Sequence, residues 1–482
     1  MQYFSTRGNA PAVDSAQAVL TGLAPDGGLY LPEEIPAFDW KACVNDSALA
    51  QMKKILSALL PDIPDMGALV DKAYGGKFET EDLTPTVRVG NFTVLELFRG
   101  PTSAFKDVAL SMLPQLMTAA KTAKQMHEDI LILTATSGDT GKAALEGFKD
   151  VPGIGICVFY PDGGVSQVQR RQMVSQEGEN VKVCAIRGNF DDAQTGVKNV
   201  FSQCAEKELP FRLSSANSIN IGRLAPQIAY YFKAYGDLLK RGAIAMGDEV
   251  NFSVPTGNFG DILAGFLAKK LGLPVGKLIC ASNANNVLTD FIRTGTYDRC
   301  RPLYKTLSPS MDILVSSNLE RLLYLMSGDA SLVADLMQQL AQKGSYTVPE
   351  ELLTQIQSGF WAGYCDDAAG QQTICRVWKE KGYLCDTHTA SGWAVAEDYV
   401  NQTGDTRPMV VLSTASPYKF PAAVLAAIGG DGSGDEFTQM ERLEKMTGVQ
   451  IPKNLSGLRD LPERHTDVIE KQEMLSYVLS LE

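Results

Sequence analysis

Short apolar runs alternate with amphipathic stretches along most of the chain, beginning near residue 93. Each run has the length of a strand, and the sequence that follows it has helical periodicity. The predicted strands are TVLELF (93–98), DILILTAT (129–136), GICVFYP (155–161), NVKVCAIRG (180–188), NFSVPTG (251–257), KLICASN (277–283) and MVVLSTAS (409–416). Repeated strand–helix units of this kind predict an α/β fold with parallel sheets covered by helices on both faces.

The pattern divides the chain into three parts. Residues 1–90 are rich in turns and are expected to form an N-terminal domain. Residues 91–428 carry the strand–helix units, which predict a small subdomain at about 126–215 and a large subdomain from the remainder. A stretch at about 295–380 shows no strand pattern and is expected to be a helical insertion. Residues 429–482 open with GGDGSGDEF and predict a linker followed by a helical tail.

Composition narrows the class of protein. With 482 residues, 45% hydrophobic and 21% charged, the chain has the composition of a soluble globular protein of more than one domain. A net charge of −12 argues against nucleic acid as a partner. No apolar run approaches the ~18 residues of a membrane span, and no targeting segment is recognisable at the N-terminus. We therefore expect a cytoplasmic protein without membrane partners.

The nine cysteines form no C-x-x-C pair and lie mostly in apolar runs. This distribution predicts buried, reduced thiols and no metal site.

A lysine stands where a predicted strand gives way to a helix in FRGPTSAFKDVAL (98–110). The helix dipole disfavours a cation at this end of a helix. The neighbours Ala104, Phe105 and Val108 are apolar, which predicts that the amine of Lys106 is desolvated and has a lowered pKa. A Schiff-base lysine needs such an amine. The alternative interpretation is an ordinary solvated lysine at a helix start.

Two further strand-to-helix loops combine glycine with small or hydroxylated residues. In TATSGDTGKAALEG (134–147), the helix N-terminus offers free N–H groups to an anion. The alternative there is an ordinary turn capped by Ser137 or Asp139. In VPTGNFGDILAGF (254–266), two glycines flank an Asn-Phe pair, as in backbone cradles for phosphate. Ligands of open α/β sheets bind where such loops meet, at the carboxyl ends of the strands.

Together these segments resemble the threonine synthase family, in its long form. This family belongs to the fold-type II pyridoxal-phosphate (PLP) enzymes and is related to the tryptophan synthase β-subunit. The resemblance covers nearly the whole chain in order. It rests on YFSTRG (3–8), GLAPDGGLYLP (22–32), GPTSAFKD (100–107), SANSINIGR (215–223), DTHTASG (386–392) and LSTASPYKF (412–420). It implies a fold-type II architecture with a threonine-synthase-type N-terminal domain.

The resemblance also implies roles for single residues. Lys106 is implied to bind PLP as a Schiff base, Thr414 to hydrogen-bond the pyridine nitrogen, and Asp139 to lie beside the 3′-oxygen. The main-chain amides implied to hold the cofactor phosphate are those of Gly257, Asn258, Phe259 and Gly260. The implied substrate contacts are Thr136, Ser137, Thr140, Asn217, Ser218 and Arg223. Arg223 is the candidate for the substrate phosphate, because a guanidinium forms bidentate, charge-assisted bonds. Without the resemblance, a surface arginine in a salt bridge is the simpler interpretation.

Three positions leave questions open. Many fold-type II enzymes carry Asn in place of Asp139, and a carboxylate there implies a shared proton or an altered Schiff-base pKa. Many family members carry His in place of Ser416, so a titratable contact is missing here. His388 is interpreted either as a site residue or as a structural hydrogen-bond partner.

The function implied by the resemblance is that of a PLP-dependent lyase of threonine biosynthesis. It converts O-phospho-L-homoserine and water to L-threonine and phosphate, and we expect a monomer or homodimer. Alternatives are a threonine-synthase-like phospho-lyase that releases 2-oxobutanoate, a related dehydratase, and a PLP-binding regulatory module without turnover. The long N-terminal domain argues against the dehydratase, and the intact Lys106 argues against the regulatory module. A dinucleotide-binding function is not predicted, because no G-x-G-x-x-G follows a strand.

Overall fold

A computed structural model describes residues 1–204, 207 and 209–481 of the chain. Residues 205, 206 and 208 of the predicted small subdomain and residue 482 of the predicted tail lie outside this description. The N-terminal region forms a small antiparallel sheet, four helices and one strand of a larger sheet. Its elements are β1 (Gln2–Ser5), β2 (Val13–Asp14), α1 (Ser15–Thr21), β3 (Tyr30–Pro32), α2 (Trp40–Cys43), α3 (Ala48–Leu59), α4 (Met66–Tyr74) and β4 (Thr86–Val89).

The middle of the chain alternates strands and helices as the apolar runs predict. Its elements are β5 (Phe92–Glu96), α5 (Lys106–Ala123), β6 (Asp129–Ala135), α6 (Asp139–Phe148), β7 (Ile154–Pro161), α7 (Gln167–Val174), β8 (Val181–Arg187), α8 (Phe190–Cys204), β9 (Phe211–Ser214), α9 (Ile221–Leu224), α10 (Ile228–Lys240), β10 (Val250–Pro255), α11 (Gly260–Lys270), β11 (Val275–Ser282) and α12 (Val287–Thr294). A 3₁₀ turn, Ala225–Gln227, joins α9 to α10.

The last third of the chain is mostly helical but contains five strands in its described residues. Its elements are β12 (Thr296–Asp298), α13 (Leu319–Ser327), α14 (Ala330–Lys343), β13 (Ser345–Thr347), α15 (Glu350–Gly359), β14 (Phe360–Tyr364), α16 (Asp367–Lys381), α17 (Thr387–Thr403), β15 (Met409–Ser413), α18 (Pro421–Ala427), α19 (Glu436–Thr447), β16 (Asp467–Glu470) and α20 (Met474–Leu479). Short 3₁₀ turns occur at Pro309–Met311, Pro417–Lys419, Leu458–Asp460 and Lys471–Glu473.

Two sheets organise the fold. The large sheet has the strand order β14–β11–β10–β15–β5–β4, and all its pairs are parallel except β4 with β5. The second sheet, β16–β8–β7–β6–β9, is parallel throughout. Every residue of β5, β10 and β15 is buried, which explains their nearly continuous apolar sequences. The predicted α/β class with two parallel-sheet regions is confirmed.

Two predictions about the last third of the chain are wrong in part. The stretch 295–380 is not free of strands, because β12 pairs with β13 and β14 forms one edge of the large sheet. The tail is not only a linker and a helix, because β16 extends the second sheet beside β8. These strands have three to five residues, which is too short for a readable period. The domain bounds themselves remain predictions.

The core supports the prediction for the cysteines. All nine are free, and seven of them are buried. No helix in the described parts of the chain is both long enough and apolar enough to cross a membrane.

Candidate active site

Lys106 begins α5 with its amine in the interior, and only 8% of the residue is exposed. Burial lowers the pKa of the amine to about 8; Asp139 opposes this shift, while Arg223 and Lys419 reinforce it. Its Nζ lies 3.3 Å from Ser310 Oγ and 3.8 Å from an oxygen of Asp139. The lysine is therefore desolvated, as its apolar neighbours predict, and the interpretation as an ordinary solvated lysine is wrong.

The loop that leads into α5 is paired with the residues that follow β15. The N–H of Phe105 donates to the C=O of Thr414 at 2.8 Å, and the N–H of Ser416 donates to the C=O of Ser103 at 3.1 Å. Thr414 is buried. The structure thus places Thr414 and Lys106 on adjacent backbone segments. One ligand can contact both residues only if they are close together in this way.

Asp139, the first residue of α6, lies at the centre of a buried group of charges. Its carboxylate is 2.7 Å from Lys419 Nζ and accepts a 2.9 Å hydrogen bond from Gln169 Nε2. Its second oxygen faces Lys106. Burial opposes ionisation, but Lys419 and then Lys106 hold the pKa of Asp139 well below its usual range. The carboxylate is therefore an anion that two lysines share.

Lys419 and Gln169 were not predicted from the sequence. Lys419 is fully buried and also donates to the C=O of Thr102 at 3.1 Å. The criterion that identifies Lys106 also applies to Lys419, because it lies between Tyr418 and Phe420 just before a helix. Gln169 gives no such signal, because a glutamine in a helix is ordinary.

The loop between β6 and α6 is ordered by Thr136. The Oγ1 of this buried residue accepts hydrogen bonds from the amides of Gly138 at 3.0 Å and Gly141 at 2.9 Å. The predicted side-chain cap is wrong, because the N-cap residue is Gly138. Ser137 in this loop and Thr140 in the first turn of α6 are half-buried, and in the sequence they lie on either side of the carboxylate that faces the lysine. The structure therefore brings these three predicted contacts to the lysine site.

The loop between β10 and α11 presents main-chain amides. Phe259 has a left-handed backbone with φ +62°, and Gly260 begins the helix. The C=O groups of Gly257 and Asn258 accept hydrogen bonds from side chains of the segment 308–318. In a trans peptide the N–H points away from the C=O, so the amides of Asn258 and Phe259 face the opposite side. Those two amides have no hydrogen-bond acceptor among the described residues.

A segment of the predicted helical insertion, residues 308–318, also reaches the site. Besides Ser310 at the lysine, Ser316 Oγ donates to the C=O of Gly257 at 2.8 Å. No local pattern indicates a site role for this segment, because it does not connect a strand to a helix and its regular structure is one 3₁₀ turn. Its position depends on contacts with distant parts of the chain.

His388 is one of those contacts. Its Nε2 accepts the N–H of Ser310 at 3.2 Å, and its Nδ1 lies 2.8 Å from an oxygen of Asp386. The ring therefore accepts at Nε2 and donates from Nδ1 to the carboxylate. The structure favours the interpretation of His388 as a structural hydrogen-bond partner. The residue that it binds, Ser310, in turn contacts Lys106.

Arg223 is 5% exposed, and no carboxylate of the described residues pairs with it. One guanidinium nitrogen donates to the C=O of Ala216 at 2.7 Å, whereas the buried Nε has no partner among the described residues. Burial lowers the pKa of this guanidinium to about 10. The interpretation as a surface salt bridge is wrong. A buried cation without a counter-ion is costly, so this position is suited to bind an anion.

Ser218 and Asn217 lie on the segment before Arg223. A Cβ atom on Gly260 would lie 3.8 Å from the Cβ of Ser218, which places Ser218 beside the glycine loop. Asn217 is half-buried, and its C=O accepts the N–H of Asn220 at 3.2 Å. Ser218 therefore lies beside the predicted phosphate-binding amides, and Asn217 precedes it in the chain.

Family models match nearly all of this chain. The model "Threonine synthase N terminus" matches residues 2–74, "Pyridoxal-phosphate dependent enzyme" matches residues 79–415, and "Threonine synthase, C-terminal" matches residues 389–478. The second model spans the lysine loop, the glycine loop and Thr414. The cofactor named by this family model, pyridoxal phosphate, is thus the cofactor that the sequence motifs imply.

Individual relatives agree with these models. Threonine synthase of Pseudomonas aeruginosa is 41% identical over 433 residues, which cover 88% of this chain and 90% of that protein. Threonine synthase-like 1 of Homo sapiens is 36% identical over 96% of this chain, but the chain spans only 63% of the length of that protein. The X-ray structure of PLP-bound threonine synthase from Brucella melitensis superposes with a TM-score of 0.89 at 41% identity, covering 100% and 99% of the two chains. The chain therefore belongs to the threonine synthase family of pyridoxal-phosphate-dependent enzymes.

Proposed function

We propose that this protein is a threonine synthase, a lyase that converts O-phospho-L-homoserine and water to L-threonine and phosphate. The observation that carries the proposal is Arg223, a buried guanidinium that has no anionic partner in the part of the chain that the structure describes. Its charge lowers the pKa of Lys106. A phosphate ester of a small amino acid supplies the missing anion. Bidentate bonding to a guanidinium favours phosphate over a neutral hydroxyl group at this position.

The donor set of the site fits PLP. The free amides of Asn258 and Phe259 suit a phosphate group, together with the N-terminus of α11 that begins at Gly260. A Cβ atom on Gly257 would lie 2.7 Å from the C=O of Ser310, so only glycine fits there. We assign Lys106 to the cofactor aldehyde, Thr414 to the ring nitrogen and Asp139 to the 3′-oxygen. When bound, the cofactor supplies an electron sink for the substrate carbon next to the amine.

Lys106 is the proposed base. With a pKa of about 8, its amine can take the proton from Cα of the substrate and hold it for return near neutral pH. Ser310 and Asp139 limit the positions that the amine adopts, because both contact it. Arg223 binds the phosphate that leaves Cγ. Thr136, Ser137, Thr140, Asn217 and Ser218 are assigned to the remaining polar groups of the substrate.

A threonine-synthase-like phospho-lyase that releases 2-oxobutanoate is the second candidate. Both candidates need the same lysine and the same phosphate site. They differ in whether water adds at Cβ before the product leaves.

The decisive experiment is to identify the products that the purified protein forms from O-phospho-L-homoserine. Threonine and phosphate in equal amounts support the proposal, whereas 2-oxobutanoate with ammonia supports the phospho-lyase. The Lys106→Ala variant is the control, and it must form neither product. Turnover by this variant would contradict the assignment of Lys106.

We further propose the division into an N-terminal domain at 1–90, a catalytic region at 91–428 and a C-terminal segment at 429–482. The separate family models for residues 2–74 and 79–415 support a division between the first two parts. A cytoplasmic location and a monomeric or homodimeric state are part of the same proposal, and sedimentation of the purified protein tests the latter.

A further inference from the structure

The loop that carries Lys106 contains a residue with an unfavourable backbone conformation. Ser103 has φ +60°, in the left-handed region that residues other than glycine rarely adopt. It is fully buried, so solvent does not compensate for the strain. Such a conformation persists only where surrounding contacts hold it.

One side chain supplies three of those contacts. The Oδ1 of Asn454 accepts a hydrogen bond from Ser103 Oγ at 2.9 Å. Its Nδ2 donates to the C=O of Pro101 at 2.7 Å and more weakly to the C=O of Gly100 at 3.4 Å. Asn454 therefore satisfies polar groups of three residues in the tight turn just before the lysine.

Asn454 comes from a part of the chain far from the lysine loop. It lies between α19 and β16, in the C-terminal segment, and is 351 positions from Ser103. Its neighbours Leu455 and Leu458 are buried in the hydrophobic cluster that also contains residues of α18. The asparagine is therefore held on a fixed support, and the turn that it binds is fixed as well.

Other groups hold other atoms of the same turn. The C=O of Ser103 accepts the N–H of Ser416, and Thr102 donates its N–H to the carboxylate of Asp107 at 2.9 Å and accepts from Lys419 at 3.1 Å. Among the described residues, Asn454 is the partner of the Ser103 hydroxyl and of the C=O of Pro101. Without Asn454 these two groups lose their partner, and the strained residue can relax while the other bonds stay in place.

We propose that Asn454 is a positioning residue for Lys106, through which the C-terminal segment sets the conformation of the lysine loop. This inference rests on the proposed function, because it takes Lys106 as the cofactor lysine. A displacement of the turn moves the amine away from Ser310 and Asp139. A shift of about 1 Å at a reacting group costs roughly 100-fold in rate when it persists.

Asn454→Ala tests the inference in the holoenzyme. Removal of these hydrogen bonds is expected to lower kcat about tenfold, with little change in the KM for O-phospho-L-homoserine, and to reduce the visible absorbance of lysine-bound PLP. The double variant with Ser103→Gly is expected to regain most of both losses, because glycine adopts positive φ without support. If Asn454→Ala does not fold, Asn454→Asp removes the donor to Pro101 and is expected to have the same effects.

Asn180→Ala is the matched control. Asn180 is also half-buried and donates to the main-chain carbonyls of Phe148 and Ile154 at 2.7 Å, at the end of α6 opposite Asp139. It is expected to lose stability without changing kcat or the spectrum. The inference is overturned if Asn454→Ala changes only stability, as the control does, or if Ser103→Gly fails to restore the double variant.

Lys106→Ala separates a failure of this inference from a failure of the proposed function. If Lys106→Ala keeps the visible absorbance and turnover, Lys106 is not the cofactor lysine and both fail. If Lys106→Ala loses them while Asn454→Ala keeps them in full, only the role of Asn454 is overturned.

Discussion

Replacing Lys419 with methionine tests the charge arrangement around Lys106, the proposed cofactor lysine. Lys419 is fully buried, and its Nζ lies 2.7 Å from Asp139. Loss of one partner from a buried ion pair costs about 3–5 kcal/mol, because the other charge is left buried. Asp139 keeps Gln169 at 2.9 Å and Lys106 at 3.8 Å, so we expect the lower end, about 3 kcal/mol.

The same change raises the pKa of Lys106. Burial lowers this pKa to about 8, and Lys419 adds to the lowering because it is a like charge. Asp107 and Asp139 act in the opposite direction and remain in the variant. Without Lys419 we expect the pKa to rise by about one unit. At pH 7 the neutral fraction of the amine then falls from about one tenth to about one hundredth.

Two measurements check these effects. Urea unfolding at pH 7 measures the loss of stability. Because the pKa of Asp139 in the folded protein lies well below its usual range, its carboxylate is ionised at pH 7 and its contribution to folding stability is complete there. That contribution is lost only as the pH falls into the acid range. The rate at which the apoenzyme captures added PLP reports the neutral amine. We expect Lys419→Met to be about tenfold slower at pH 7 and to approach the parent rate at pH 10.

Lys233→Met is the matched control, because Lys233 is also buried and lies 2.6 Å from Asp237. It should lose stability to a similar extent without changing the pH dependence of PLP capture. The reasoning is refuted if Lys419→Met slows capture by the same factor at every pH, or if the control shifts the profile equally.

Three further predictions concern the phosphate sites and the histidine. Arg223→Ala should reduce kcat/KM strongly for O-phospho-L-homoserine and only slightly for unphosphorylated homoserine analogues; equal losses would show that Arg223 does not bind the phosphate. Gly257→Ala should weaken PLP binding roughly 5- to 100-fold in equilibrium dialysis, because its Cβ would press on Ser310, whereas Gly67→Ala, with no atom within 4 Å of its Cβ, should not. His388→Ala should also weaken PLP binding, and His388→Gln should restore part of it by accepting the Ser310 N–H; identical affinities for the two variants would contradict this role.

Several features of the site could be predicted because they depend on neighbours in the sequence. The apolar residues around Lys106 indicate a desolvated amine, and the structure lowers its pKa to about 8. The glycines at 257 and 260 indicate a turn with exposed amides, and two amides there lack acceptors among the described residues. Lys419 meets the same criterion as Lys106, because aromatic residues flank it just before a helix.

Other features have no local signal. The segment 308–318 reaches the lysine only because its side chains bind the glycine loop and its backbone binds His388. The short strand β16 gains its structure from pairing with β8, nearly 300 residues away. Asn454 is an ordinary asparagine in sequence, and its contacts exist only after the C-terminal segment folds over the lysine loop.

The sequence by itself therefore determined the α/β class, most of the strands, the desolvated lysine and the two glycine-containing loops. These properties follow from hydrophobic periodicity and from the conformations that particular residues allow over a few positions. The tertiary structure alone decided which charges surround Lys106, which segment holds the glycine loop and what supports the strained turn at Ser103. Hydrogen bonds and ion pairs between distant segments form only when folding brings those segments together. No local sequence pattern indicates which segments will meet.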